Sequence, residues 1–395
     1  MVRFLHTADW QIGKPYGAVP DPQKRFRLQQ ERFAAIGRIG DVVRAQEAAF
    51  VLVAGDLFDS PTPDPTAVLE ALELIGAMVV PVIVIPGNHD HGAPGTVWHQ
   101  QMFQAQQRQL APNLQLLLRR KPLELPEAVL LPCPLLRNQD SADPSQWLRS
   151  IDWASLPADK PRLVLAHGGV QGFSAPDLDL DAEDQGRANN RLDLQSLPEA
   201  ELDYIALGDW HNLKQVSAKA WYSGTPEPDQ FDQGENNQRA QVLLVTAERG
   251  ALPVVEVIPT GRLRWHNLVF RFSSDADLDR FERLLQEQLG SRVARDLLRL
   301  QVSGSLSLAG HRRYAQLLAD LEPRLLRLRL KGHCQQAPEA GELAQLIDRV
   351  EDPLVARVAS QLQHRLQTVA DPDGEEAAVW RLALCELHRL ATSPF

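Results

Sequence analysis

At 395 residues, with 44% apolar and 23% charged side chains, the chain has the composition of a globular protein long enough for two or three domains. No run approaches the ~18 uninterrupted apolar residues of a membrane span. Three scattered cysteines, Cys133, Cys334 and Cys385, argue against a disulfide frame or a Cys-based zinc site. The net charge of −10 argues against passive nucleic-acid binding, yet it is uneven, because residues 262–333 alone carry +6.

In chain order, Val2-Arg3-Phe4-Leu5 reads as a strand leading into the polar loop Thr7-Ala8-Asp9-Trp10-Gln11. These opening residues carry no secretory apolar region, so a cytoplasmic protein is expected. Residues 25–48 suit a helix, and Phe50-Val51-Leu52-Val53-Ala54 a buried strand ending in Gly55-Asp56-Leu57-Phe58-Asp59. A helix over 66–78 precedes the run Val82-Ile83-Val84-Ile85, which ends in Gly87-Asn88-His89-Asp90. Strand–helix–strand alternation of this kind points to an α/β layered domain with crossover helices. Further strands end in His167-Gly168 and in Gly208-Asp209-Trp210-His211, with residues 177–190 and 230–238 reading as polar loops.

From Leu268 the pattern resets to β-α-β-α-β, which suggests a separate small α/β domain, its first helix running over 275–289 with Ser274 as N-cap. After Pro338 three apolar stripes read as helices. The expected domains are 1–261, 262–337 and a helical segment 338–395. The last is a candidate docking element for a partner.

Five predicted strands thus end in oxygen or imidazole donors: Asp9 with Gln11, Asp56, Asn88 with His89, His167, and Asp209 with His211. Any one of them has an ordinary explanation as a helix cap, a turn residue or a satisfied histidine. Five in the same strand register converge at the carboxyl edge of an open sheet. The set suits two divalent cations about 3.5–4 Å apart that share Asp56. Asp9, Gln11 and His211 would complete one ion, and Asn88, His167 and Asp209 the other. His89 is placed to act as general acid or transition-state stabiliser at a phosphoester, with Asp90 to orient it.

The order Asp-x-Gln, Gly-Asp, Gly-Asn-His-Asp, His-Gly and Gly-Asp-x-His resembles the calcineurin-like metallophosphoesterase superfamily. His6-Thr7-Ala8-Asp9-Trp10, Gly55-Asp56-Leu57-Phe58-Asp59 and Tyr222-Ser223-Gly224-Thr225-Pro226-Glu227 resemble, more narrowly, the SbcD-type nucleases. The resemblance covers most of the first 230 residues. It implies a four-layer α-β-β-α sandwich with a small α/β capping domain, manganese dependence, and 3′-to-5′ exonuclease and endonuclease action on DNA.

The implied partners are duplex ends or hairpins of DNA, an SbcC-like ATPase with a long coiled coil, and a second copy of the chain, with no membrane. Nucleoid association when bound to DNA goes with them. Gln11 and Asp209 depart from the histidines usual in that family. Both exchanges move the site towards oxygen donors, which favour Mn²⁺ or Mg²⁺ over Zn²⁺. Arg262, Arg264, Arg312 and Arg313 belong to the basic segment that would contact phosphates. The competing expectations are a small-substrate phosphodiesterase, which needs no basic domain, and a non-catalytic DNA-end-binding subunit with a degenerate site.

Overall fold

Short apolar runs buried on both faces, as parallel strands require, frame the first part of the chain. In order these elements are β1 (Val2–Thr7), α1 (Pro22–Gln46), β2 (Val51–Ala54), α2 (Pro65–Gly76), β3 (Val82–Ile85), α3 (Gln101–Leu110), β4 (Leu114–Leu116), β5 (Leu123–Glu124), β6 (Val129–Cys133) and β7 (Arg162–His167). They continue with β8 (Gly169–Val170), β9 (Arg191–Leu192), β10 (Tyr204–Gly208), β11 (Lys214–Gln215), β12 (Ala220–Tyr222), β13 (Gln241–Ala247) and β14 (Val254–Pro259). The computed structural model describes residues 1–171, 189–231, 239–290, 294–336, 340–370 and 375–392. Most of the two expected polar loops, 177–190 and 230–238, lies outside the described residues. The chain divides into two compact units, Met1–Arg264 and Trp265–Phe395.

Unit 1 holds two six-stranded sheets, ordered β14-β13-β1-β2-β3-β4 and β11-β12-β10-β7-β6-β5. Strand alternation sorts their side chains. Phe4, Leu52, Ala54, Ile83 and Ile85 of the first sheet pack with Leu130, Leu163, Leu165, Tyr204 and Ala206 of the second, forming the core between the sheets. The alternate residues Leu5, Val51, Val53, Val82 and Val84 face α1, α2 and α3. On the far side of the second sheet the cover is thinner, made of 3₁₀ turns such as Gln146–Ser150 and Leu194–Ser196. This is the mixed α/β sandwich expected. Strands β1–β4 pair in parallel, as do β6, β7, β10 and β12, so the loops after them gather at carboxyl ends.

Helix α1 starts on the Asp21 cap, whose carboxylate accepts the amides of Gln23 and Lys24, with Pro22 at the first turn. Its buried face, Leu28, Phe33, Ile36, Ile39 and Val43, also carries a charged residue, Arg32.

Unit 2 has a sheet ordered β15 (Arg264–Phe272), β16 (Asp296–Leu306), β17 (Arg327–Gly332), with β18 (Gln335–Gln336) beside β16. Helices α4 (Asp277–Leu289) and α5 (Leu308–Leu321) pack on it through Phe281, Leu285 and Tyr314. The Ser274 cap is not found. Asp277 itself opens α4, and its carboxylate accepts the amides of Ser273 and Ser274 at 2.7 and 3.2 Å. Three helices, α6 (Ala340–Ile347), α7 (Pro353–Thr368) and α8 (Glu375–Thr392), follow. Among the described residues, no helix is long and apolar enough to cross a membrane.

Candidate metal centre

The loops that follow β1, β2, β3, β7 and β10 bring the expected donors together, and three glycines make room for them. A Cβ on Gly87 would lie 2.1 Å from Asp56 Oδ1, one on Gly55 2.2 Å from His167 Nδ1, and one on Gly208 1.9 Å from the Ala54 carbonyl oxygen. Only hydrogen fits at these positions.

Asp9, Gln11, Asp56 and Asp209 all sit in the left-handed region, with φ of 53°, 44°, 54° and 103°. Each such residue costs of order 1–3 kcal/mol and persists only where its surroundings hold it. Here the Asp9 amide donates to the Gly55 carbonyl at 3.1 Å, Gln11 to Asp56 at 2.9 Å, and Ile12 to Leu57 at 2.9 Å. Arg32 reaches up from α1 to donate to the carbonyls of Trp10 at 2.8 Å and Asp9 at 3.1 Å.

Oxygens of Asp9 and Asp56 and a ring nitrogen of His167 lie within 4.8 Å of one another. His167 Nδ1 donates to the Ala54 carbonyl at 2.7 Å, which fixes the ring with its Nε2 towards the other donors. That Nε2 faces Asn88 Oδ1 at 2.9 Å, Asp56 Oδ2 at 3.6 Å and Asp209 Oδ1 at 3.8 Å. Three side-chain oxygens and an imidazole nitrogen meet here. A divalent cation satisfies such a set, and a histidine fixed through its other nitrogen is the usual form of a ligating imidazole.

The electrostatics agree. Burial, with Asp56 and Asp209 nearby, lifts the Asp9 carboxyl well above the ordinary range, as expected of clustered carboxylates without a counter-charge. Burial also works against ionised Asp56, but His167 and His89 outweigh it and hold that carboxyl below its usual value.

His89 is only half-buried. Its amide donates to Asp56 Oδ1 at 2.9 Å and its Nδ1 to the Asp59 carbonyl at 3.1 Å, which leaves Nε2 open. Burial alone would lower its pKa, yet Asp56 and Asp59 raise it above the ordinary histidine value. Asp90 is fully buried. Its carboxylate accepts the amides of Gly87 at 2.7 Å and Phe58 at 3.1 Å, clamping two site loops together.

Gln11 and His211 face each other at 3.3 Å through Nε2 atoms. The basic residues Arg262, Arg264, Arg312 and Arg313 are all exposed, and Arg313 pairs with Asp279 at 2.7 Å and Glu282 at 2.9 Å within unit 2. Trp10 is buried, its Nε1 bonded to Thr7 Oγ1 at 2.9 Å, and serves packing.

Sequence reasoning missed Arg32, Lys14 and Asp229. Arg32 was detectable, since it interrupts the apolar stripe of α1 four residues after Leu28. Lys14 lies three residues after Gln11, yet an exposed turn lysine looks the same in sequence. Asp229 sits in the Pro228-Asp229-Gln230 turn, where aspartate is ordinary.

The profile of the family described as Calcineurin-like phosphoesterase matches residues 2–237. A curated relative, the SbcD component of the SbcCD nuclease of Escherichia coli O157:H7, is 27% identical over 285 residues, covering 65% of this chain and 67% of that protein. One solved structure aligns with 65% of this chain and 98% of its own at 10% identity, with a TM-score of 0.36.

Proposed function

Because this chain belongs to the calcineurin-like phosphoesterase family and is thereby a metal-dependent phosphoester hydrolase, we propose that it is a DNA nuclease using Mn²⁺. We further propose that it works beside an SbcC-like coiled-coil ATPase. The observation that carries the metal-dependent reading is the convergence of Asn88 Oδ1, His167 Nε2, Asp56 and Asp209. One nitrogen and three oxygens suit Mn²⁺ or Mg²⁺ better than Zn²⁺. The DNA substrate and the ATPase are carried over from the likeness to the SbcCD nuclease component. Two features support them: the +6 charge of residues 262–333, and Leu354, Val379, Leu382 and Leu390, which are exposed on α7 and α8.

A divalent cation held by Asp56, Asn88, His167 and Asp209 would neutralise phosphate oxygens and acidify an attacking water. The rest is the work of side chains. His89 holds its Nδ1 proton on the Asp59 carbonyl and offers the Nε2 proton to the leaving oxygen. Asp56 and Asp59 raise its pKa, which favours the protonated ring. Asp90 is a positioning residue that keeps the Gly87 and Phe58 loops in register.

End-labelled duplex DNA incubated with Mn²⁺ tests the reading, with a chromogenic phosphodiester alongside. The expected outcome is duplex degradation that is abolished by Asp56→Asn. His89→Ala should lower turnover by about 10²- to 10⁴-fold while leaving Mn²⁺ bound. Chromogenic turnover without DNA cleavage would make the protein a small-substrate phosphodiesterase. DNA binding without any turnover would make it a non-catalytic subunit.

A further inference from the structure

The two halves of the centre differ in kind. Around His167 the donors are three oxygens and an imidazole nitrogen, whereas beside Gln11 a cationic side chain already stands. Lys14 Nζ lies 2.7 Å from Gln11 Oε1 and 2.9 Å from Asp229 Oδ2, with Asp59 Oδ1 at 3.8 Å. An ammonium only donates, so the Gln11 atom facing it is the oxygen, and the amide NH₂ is turned towards His211. His211 Nδ1 stands 2.9 Å from the Asp229 carboxylate, and its Nε2 3.3 Å from Gln11 Nε2. Both side chains that would complete an ion with Asp9 thus face other protein groups, Gln11 most closely the Lys14 ammonium. A positive charge also stands beside one of them, where it repels an incoming dication.

The geometry points to a centre that holds one divalent cation tightly, on Asp56, Asn88, His167 and Asp209, with Lys14 supplying the positive charge on the Gln11 side in place of a second ion. Gln11 and Asp229 order the ammonium. Asp209 adds a negative charge to the side that keeps its cation, and Gln11 adds none to the side that does not. This inference rests on the metal-centre part of the reading above and is independent of the DNA substrate.

The test is metal stoichiometry of the full-length, metal-stripped protein titrated with Mn²⁺ by calorimetry, paired with electron paramagnetic resonance of the loaded protein. We expect one Mn²⁺ per chain, with any second site at least ~100-fold weaker, and the spectrum of an isolated ion. Asn88→Ala, at a half-exposed position, should weaken that ion. The double variant Gln11→His with Lys14→Met should bind two ions and give an exchange-coupled spectrum, its fold checked by circular dichroism.

Two ions of similar affinity in the unaltered chain would overturn the inference while leaving the metal centre standing. No bound ion would overturn both. A single ion indifferent to Asn88→Ala, or a folded double variant that still holds one, would overturn the assignment to these residues.

Discussion

His6 shows how one buried group ties this fold to pH. It is fully buried in β1, with Nδ1 2.9 Å from the Tyr204 hydroxyl and Nε2 3.2 Å from the Leu207 carbonyl. Burial lowers its pKa from 6.5 to about 3, the Leu207 carbonyl opposing the shift. The unfolded chain takes up a proton that the folded chain refuses. The stability contributed here is therefore complete above pH 6.5 and is lost as pH falls towards 3. Urea unfolding across that window should show His6→Gln with a shallower pH dependence, the slope falling by up to about 1.4 kcal/mol per pH unit. An unchanged slope would count against a neutral, buried imidazole. Gly87→Ala belongs to the same scale. Its methyl would meet Asp56 Oδ1 and the Asp56 amide, so Mn²⁺ affinity measured by calorimetry should fall by at least about tenfold.

At the scale of elements, α1 does more than cover the first sheet. Arg32 extends from its buried face to the carbonyls of Asp9, Trp10 and Glu227, and so holds a loop whose two key residues have left-handed backbones. Arg32→Met leaves those acceptors without their donor. We expect about 3 kcal/mol of lost stability by urea unfolding, together with weaker Mn²⁺ binding. If only stability changed, Arg32 would be structural and no more.

Most strands were legible as apolar runs, because a parallel strand buried on both faces needs nothing else. β6 was not, because Pro132 lies inside it and proline removes a ladder donor. The structure resolves this. β5 pairs with β6 only at Leu130 and Val129, so Pro132 has no partner from β5. The strand-end donors were legible because five loops repeated one chemistry. The Lys14–Gln11–His211–Asp229 chain was not, since it joins distant parts of the sequence through side-chain orientations that spacing does not encode.

At the scale of the whole molecule, the chain separates an acidic unit built around the metal centre from a smaller unit whose helices α7 and α8 keep apolar residues in water. Leu354 is 72% exposed and Leu382 62%. Leu354→Glu with Leu382→Glu should weaken capture of the same organism's SbcC-like ATPase by at least about tenfold without moving the thermal midpoint. Undiminished capture would separate these helices from partner docking. The basic segment 262–333 and the terminal helices were readable from charge and periodicity alone, but which charges stay available was not. Arg312 and Arg313 are both exposed, but Arg313 is paired with Asp279 and Glu282.

Anomalous diffraction from a manganese-soaked crystal examines the account at its root. The peak should fall among Asp56, Asn88, His167 and Asp209, with no equal peak between Gln11 and His211. A map with no peak there, or with the ion elsewhere in the chain, would contradict it.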